Sequence, residues 1–275
     1  MLTQQQIENR KNGIGASESA TVLGLNRYMS PYELWMIKTG KMEPKEISHL
    51  PQVHWGNLHE EPIAQEYARI TNCKVRRVSK TLYHKNYPFM LCHLDRKVKG
   101  ENKLLECKFS KFGGEEWGEP GSDVVPASYI IQVQHQLAIT EYPEADLAVL
   151  IGGCDFRIYH FKPDPELIDK IIQELSEFWA CVKTDTPPLF RDRGDVELAY
   201  PFSNGKYKQP NPNIINTVYK INQLKNKQKI LEEERIKLEN DLTSFIAESD
   251  GIATEEAVLA TWKANKRGSR VLRIN

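Results

Sequence analysis

The side chains in this sequence best placed to do chemistry together lie in MLCHLDRKVKGENKLLECKFSKF, residues 90–112. KGEN at 99–102 suits a two-residue hairpin turn with Gly100 at its first central position. With Gly100 and Glu101 as the loop, paired residue numbers sum to 201, so Asp95 stands opposite Glu106 and His93 opposite Lys108. Strand alternation then puts these four on one face. Met90, Cys92, Leu94, Leu105, Cys107 and Phe109 fall on the other, with Arg96 as the one polar intruder. Carboxylates directly opposite, with Cβ atoms about 4.5–5.5 Å apart, repel each other. A divalent cation shared by Asp95 and Glu106 removes that repulsion, and hard oxygen ligands without a thiolate pair favour Mg²⁺ or Mn²⁺ over zinc. Lys108 adds a positive charge that can orient a water or offset charge at a reacting phosphorus. The pattern points to metal-assisted hydrolysis; the alternative is a solvated polar face on a half-exposed strand.

Several elements must position this hairpin. Ser30 before Pro31, with apolar residues through Leu34, Trp35 and Ile37 to Gly40, reads as a capped helix. A second helix is expected from Gly56 to Thr71. Strands are expected at Lys74–Val78, Thr81–His84, Met90–Val98 and Lys103–Phe109. Ala127–Thr140 reads as a helix, Ala145–Gly152 and Phe156–Phe161 as strands, and Pro165–Lys183 as a closing helix. This order implies an α/β fold with a central mixed sheet flanked by helices. Two stretches rich in Pro, Gly, Asn and Asp, at 184–195 and 200–213, mark a boundary. The expected division is a first domain over 1–190, a linker over 191–213 and an accessory arm over 214–275. Within the arm, Ile214 to Ile246 suits a long amphipathic helix whose spacing departs from a clean heptad, ended by the turn signal SDG at 249–251. The last segment reads as two short strands joined at KRGS.

Composition sets outer bounds. The chain has 275 residues, 40% apolar and 27% charged, without an apolar run long enough to span a bilayer, and its first residues lack the apolar core of a secretory signal. The expected compartment is the cytoplasm. Five cysteines, none at CxxC spacing, suggest neither a disulfide framework nor a zinc site. Basic and acidic residues balance at 37 each, so nucleic-acid binding must rest on a local site rather than a whole-molecule field. Residues 201–275 hold 13 basic and 9 acidic side chains, making the tail the mildly basic part.

Asp95, ten intervening residues, then Glu106-Cys107-Lys108 resembles the signature of the PD-(D/E)XK, restriction-endonuclease-like nucleases. With GIGASESATVLGLNRYMSPYELW, HWGNLHEEPIAQEYA, CHLDR, LECKF and YIIQVQHQLAIT in order, the stretch 8–190 is similar to the YqaJ-type phage recombinases and lambda exonuclease. The resemblance implies that Asp95, Glu106 and the backbone carbonyl of Cys107 ligate Mg²⁺ or Mn²⁺ and that Lys108 is the catalytic lysine. It implies Glu60 as a helix-borne acid, with Glu61 next to it leaving the position open by one residue. Arg10 and Ser17 match residues that bind a DNA phosphate, and Gln132 and Gln134 match a glutamine-bearing helix beside the site. The proline common before the first acid is replaced by Leu94. On a helix Gln132 and Gln134 lie about 200° apart, so Gln132, sharing a face with His135 and Gln136, is the better candidate.

The implied activity is 5′-to-3′ resection of duplex DNA ends, feeding a single-strand annealing protein in phage recombination. A ring-forming trimer is one implied assembly, and the long helix suits others. An endonuclease of the same fold and a non-catalytic DNA-binding module are the competing readings. Glu60 has the alternative of an exposed helix residue, and the GIGAS segment that of a plain helix N-terminal loop, although free N–H groups beside an arginine suit a phosphate. Trp35, Trp55, Trp117 and Trp179 are expected in or near the core.

Overall fold

The computed structural model describes residues 9–114 and 116–275. It divides into two compact units, one ending at Phe202 and one running from Ser203 to Asn275. The first unit opens with β1 (Ile14–Gly15), α1 (Ala16–Val22), α2 (Pro31–Lys38) and α3 (Pro51–Thr71). It continues with β2 (Val75–Arg77), β3 (Leu82–Tyr83), β4 (Met90–Cys92), β5 (Arg96–Val98) and β6 (Lys103–Ser110). Then come α4 (Ala127–Thr140), β7 (Glu144–Ile151), β8 (Asp155–Phe161), α5 (Pro165–Lys183) and α6 (Arg193–Ala199).

Local chemistry accounts for the helix starts. Ser30 accepts a hydrogen bond from Glu33 N at 3.0 Å and Pro31 opens α2; Asp164 accepts from Leu167 N at 3.1 Å and Pro165 opens α5. Helix α3 begins at Pro51, earlier than the expected Gly56, because Pro51 supplies the first-turn proline and Gly56 is carried inside. Part of the expected linker is folded: α6 is capped by Asp192, and its Asp195 is buried and accepts from Ser30 Oγ and from Arg191 N. A Pro- and Asp-rich stretch that reads as a loop becomes helix here because those acids cap and anchor it.

The central sheet has the order β2-β5-β6-β7-β8, with β6 and β7 parallel and the other neighbours antiparallel. Helix α3 covers one face, where Ile63, Ala64 and Tyr67 pack on Val98, Leu105, Cys107 and Ala148. Helix α4 covers the other, where Val133 and Leu137 pack with Leu104, Leu147 and Val149. A second sheet, β1-β4-β3, packs with α1, α2 and α5 around Ile14, Met90, Trp35 and Phe178. Gly13 is needed at its edge, since a Cβ there would stand 2.5 Å from Phe89 O.

The hairpin register agrees with the sum of 201: Arg96 pairs with Leu105 and Lys97 with Leu104, and Gly100 has φ +88°. The expected strand over Met90–Val98 is broken, however. Its first part, β4, joins the small sheet, and only Arg96–Val98 joins the large one. One expectation changes in consequence: Cys92 and Leu94 pack with Leu104 on the α4 side rather than with Leu105 and Cys107, and, against the alternative of a solvated polar face, Glu106 is buried. Trp35 and Trp117 are in the core as expected, whereas Trp55 is 49% exposed.

In the second unit, α7 (Pro212–Ile246) is capped by Asn211, which accepts from Ile214 N at 3.0 Å. Three strands follow, β9 (Gly251–Ala253), β10 (Val258–Ala264) and β11 (Arg270–Ile274), in the order β11-β10-β9. The expected terminal hairpin thus gains a third strand. The turn glycine Gly251 also lies against β10, where a Cβ would meet Ala260 O at 2.2 Å. Among the described residues, no helix is long and apolar enough to cross a membrane.

Candidate active site

Asp95 sits at the break, one residue before β5, where the ladder with β6 would continue toward Glu106. Its Oδ2 accepts the hydrogen bond of Cys107 N at 2.9 Å. The carboxylate therefore takes the place of a missing backbone acceptor, and this both ends the ladder and aims Asp95 at β6. In a strand the N–H and C=O of one residue face the same neighbour, so the Cys107 carbonyl also faces the edge that β5 has vacated.

Glu106 is 3% exposed and each of its oxygens is engaged. Oε1 accepts from Lys108 Nζ at 2.7 Å and from Gln132 Nε2 at 2.6 Å; Oε2 accepts from Gln136 Nε2 at 2.7 Å. Lys108 Nζ also donates to Gln132 Oε1 at 3.1 Å and lies 5.1 Å from the centre of the Tyr129 ring. Helix α4 presents Gln132 and Gln136 together because they are one turn apart. Gln134, on the other side of the helix, ties α4 to the start of α5 through Lys162 O and Asp164 N. The separation of the glutamines by helical angle is thus reproduced. Gln136 is the addition: the QVQHQ spacing places it on the right face, but only the packing shows that it reaches Glu106.

The charges are strongly coupled. Burial first, and repulsion from Glu106 second, push the Asp95 carboxyl up to about 8, against the opposing pull of Lys108 and of the Cys107 N–H. Burial by itself would lower the Lys108 amine, yet Glu106 and Asp95 outweigh it and hold the amine above its ordinary value, so Lys108 stays charged.

His93 does not face Lys108. Because the strand breaks after Cys92, His93 turns to the residue before β3, where its Nε2 lies 3.0 Å from Thr81 Oγ1. Burial, then the positive charge of Arg10, lower it to about 4, so it is neutral. Arg96 proves to be a linking residue. It is 2% exposed, and its Nη1 donates to both Glu60 Oε1 and the Asp95 carbonyl at 2.6 Å, while Nη2 donates to Glu61 Oε2 at 2.8 Å. Both helix acids are thus engaged by one guanidinium, Glu61 also by Arg77. Arg10 Nη2 donates to Ser17 Oγ at 2.6 Å, which brings that expected pair together, and Arg10 Nε is buried without a partner among the described residues. The Gly15 N–H is not free as expected for a bare anion seat, since it donates to Glu18 Oε2 at 2.7 Å. Glu18 is in turn paired with the buried Lys38.

Among the described residues, no three His, Cys, Asp or Glu side chains converge as a ready metal cage. What β5, the residue before it and β6 bring together is two carboxylates and a backbone carbonyl, all hard oxygen donors, with the Asp95 carboxyl pushed up by burial first and by the charge of Glu106 second. That set fits a small divalent cation, whose charge would offset both.

The mixed sheet between α3 and α4 defines a restriction-endonuclease-like α/β fold. LHK-Exo, an alkaline exonuclease from Laribacter hongkongensis, matches it with a TM-score of 0.53 at 20% identity, over 67% of this chain and 94% of that one. The complex of LHK-Exo with dAMP matches with the same TM-score at 21% identity. The family model described as the YqaJ-like viral recombinase domain matches residues 7–143. YqaJ of Bacillus subtilis (strain 168) is 40% identical over 182 residues, 65% of this chain and 56% of that protein. The chain therefore spans little more than half the length of this relative. Residues 7–143 belong to the YqaJ-like viral recombinase domain family.

Proposed function

We propose that this protein is a divalent-cation-dependent DNA exonuclease that resects duplex ends, 5′ to 3′, by phosphodiester hydrolysis. Mg²⁺ or Mn²⁺ would be held by Asp95, Glu106 and the carbonyl of Cys107, with Glu60 released from Arg96 to complete a second ion site. When bound, the cation lowers the pKa of a water and offsets charge at the scissile phosphate. The observation that carries the reading is the chain of contacts from Asp95 through Cys107 to Glu106, Lys108 and Gln132. Gln132 and Gln136 fix the Glu106 carboxylate, and with it the Lys108 amine, which is charged and positioned to face phosphate oxygens. Arg10 and Ser17 hold the terminal phosphate, Arg10 with a donor still unused. The single-stranded product suits transfer to an annealing protein.

Purified protein should degrade linear duplex DNA in Mg²⁺ and spare the closed circle, with duplexes bearing a 5′ phosphate preferred over 5′ hydroxyl ends. Lys108→Met should reduce the rate by roughly 100- to 1000-fold, the usual cost of one lost charge-stabilising donor. Degradation at the parent rate by Lys108→Met removes the site assignment, and nicking of the circle replaces the exonuclease with an endonuclease.

A further inference from the structure

Helix α7 is 35 residues long, about 52 Å, and it keeps apolar side chains in solvent. Ile221, Leu224, Leu231 and Leu238 are 46–65% exposed. Counted in sevens, Thr217, Leu224, Leu231, Leu238 and Phe245 share one heptad position, the d position. Ile214, Ile221, Gln228, Arg235 and Leu242 share the a position. This is the pattern of a coiled-coil seam with three polar interruptions, Thr217, Gln228 and Arg235, which is why the spacing is not clean.

The flanking charges identify the occupant. The e and g positions are Lys220, Lys225 and Lys227 in the first half and Glu232, Glu234, Glu239 and Asp241 in the second. A parallel copy in register would set Lys220 against Lys225, Glu234 against Glu239 and Arg235 against Arg235 inside the seam, like charges that outnumber its one attractive flanking pair, Lys227 with Glu232. An antiparallel copy does the opposite. Pairing a with d so that residue numbers sum to 459 centres the overlap on the middle of Pro212–Ile246. Ile221 then meets Leu238 of the partner subunit, and Arg235 meets Leu224 of the partner subunit. The same arrangement sets Lys220 beside Asp241, Lys225 beside Glu232 and Lys227 beside Glu234 of the partner subunit, each contact occurring twice by symmetry.

We propose that two copies of this chain associate through α7 as an antiparallel two-stranded coiled coil. The seam buries the exposed leucines, and the segregated charge sets orientation and excludes the parallel form. Light scattering on the full chain at tens of micromolar should give an even number of chains. Lys220→Glu with Lys225→Glu and Lys227→Glu should halve that mass, as should Glu232→Lys with Glu234→Lys and Asp241→Lys. Helical content by circular dichroism should be unchanged, because all six side chains are exposed. Mixing the two variants, or combining all six changes in one chain, should restore the parent mass. Under mild oxidation, Leu224→Cys combined with Arg235→Cys should cross-link dimers above the parent background, and Leu224→Cys alone should not. A single chain, an odd number of chains, a mass indifferent to the charge changes, or equal cross-linking by Leu224→Cys alone overturns the proposal. None of these readouts depends on nuclease activity, so this proposal and the functional one fail separately.

Discussion

Replacing Gln136 by Leu isolates what the α4 glutamines do for the acid. Gln136 Nε2 is the partner of Glu106 Oε2, at 2.7 Å, and Glu106 is 3% exposed, so water cannot take over that hydrogen bond without opening the core. A hydrogen bond to a buried charged group contributes about 1.5–3 kcal/mol. Against this, Gln136 Oε1 is buried without a donor among the described residues, and leucine removes that unsatisfied acceptor, worth roughly 1 kcal/mol. The lost donor wins, leaving a net destabilisation of about 0.5–2 kcal/mol. In a unit of this size that lowers the melting temperature by roughly 1–8 °C. Tryptophan fluorescence reads it well, because Trp35, Trp55, Trp117 and Trp179 lie in the first unit and only Trp262 in the second. The same change should slow duplex degradation, since Glu106 loses one of the groups that fix its plane. A melting temperature within 1 °C of the parent, with activity intact, would falsify the argument that Glu106 depends on α4 for its placement.

Two further outcomes follow from the burial of charge. Arg96→Met leaves Glu60 unpaired while Glu61 keeps Arg77, and the two acid side chains are 27% and 44% exposed and can rehydrate. The loss in urea unfolding should be about 2 kcal/mol rather than the roughly 3–5 kcal/mol of a fully buried broken pair, and a loss above that range would show that the acids cannot reach water. His135, wholly buried beside Ser19 Oγ at 2.6 Å, has its pKa lowered to about 3 by burial, whereas the unfolded chain binds its proton near 6.5. The unfolded state therefore takes up more protons between those values, so this contribution to stability is complete above about pH 6.5 and is lost progressively as the pH falls toward 3. His135→Gln should flatten the fall in unfolding free energy between pH 6.5 and 4.5, and an unchanged slope assigns the acid sensitivity to other groups.

The sequence by itself determined the turn at Gly100, the register that sets Asp95 beside Glu106, the approach of Lys108 and the choice of Gln132 over Gln134. Each of these depends on a local rule: turn chemistry, the period of two in a strand, or the angular step of a helix. The α4 and α5 boundaries, Ala127–Thr140 and Pro165–Lys183, are legible for the same reason, both being marked by apolar periodicity and α5 also by the Asp164 cap and Pro165. Tertiary structure alone decided where Met90–Val98 breaks. Alternation continues across both halves, and competition between two sheets, together with the capture of Cys107 N by the Asp95 side chain, separates them. The same holds for His93, which follows the break toward Thr81, and for Arg96, whose reach to Glu60 and Glu61 depends on α3 lying across β5. Residues far apart in the chain carry no local sign of one another, so their pairing is settled only when the layers pack.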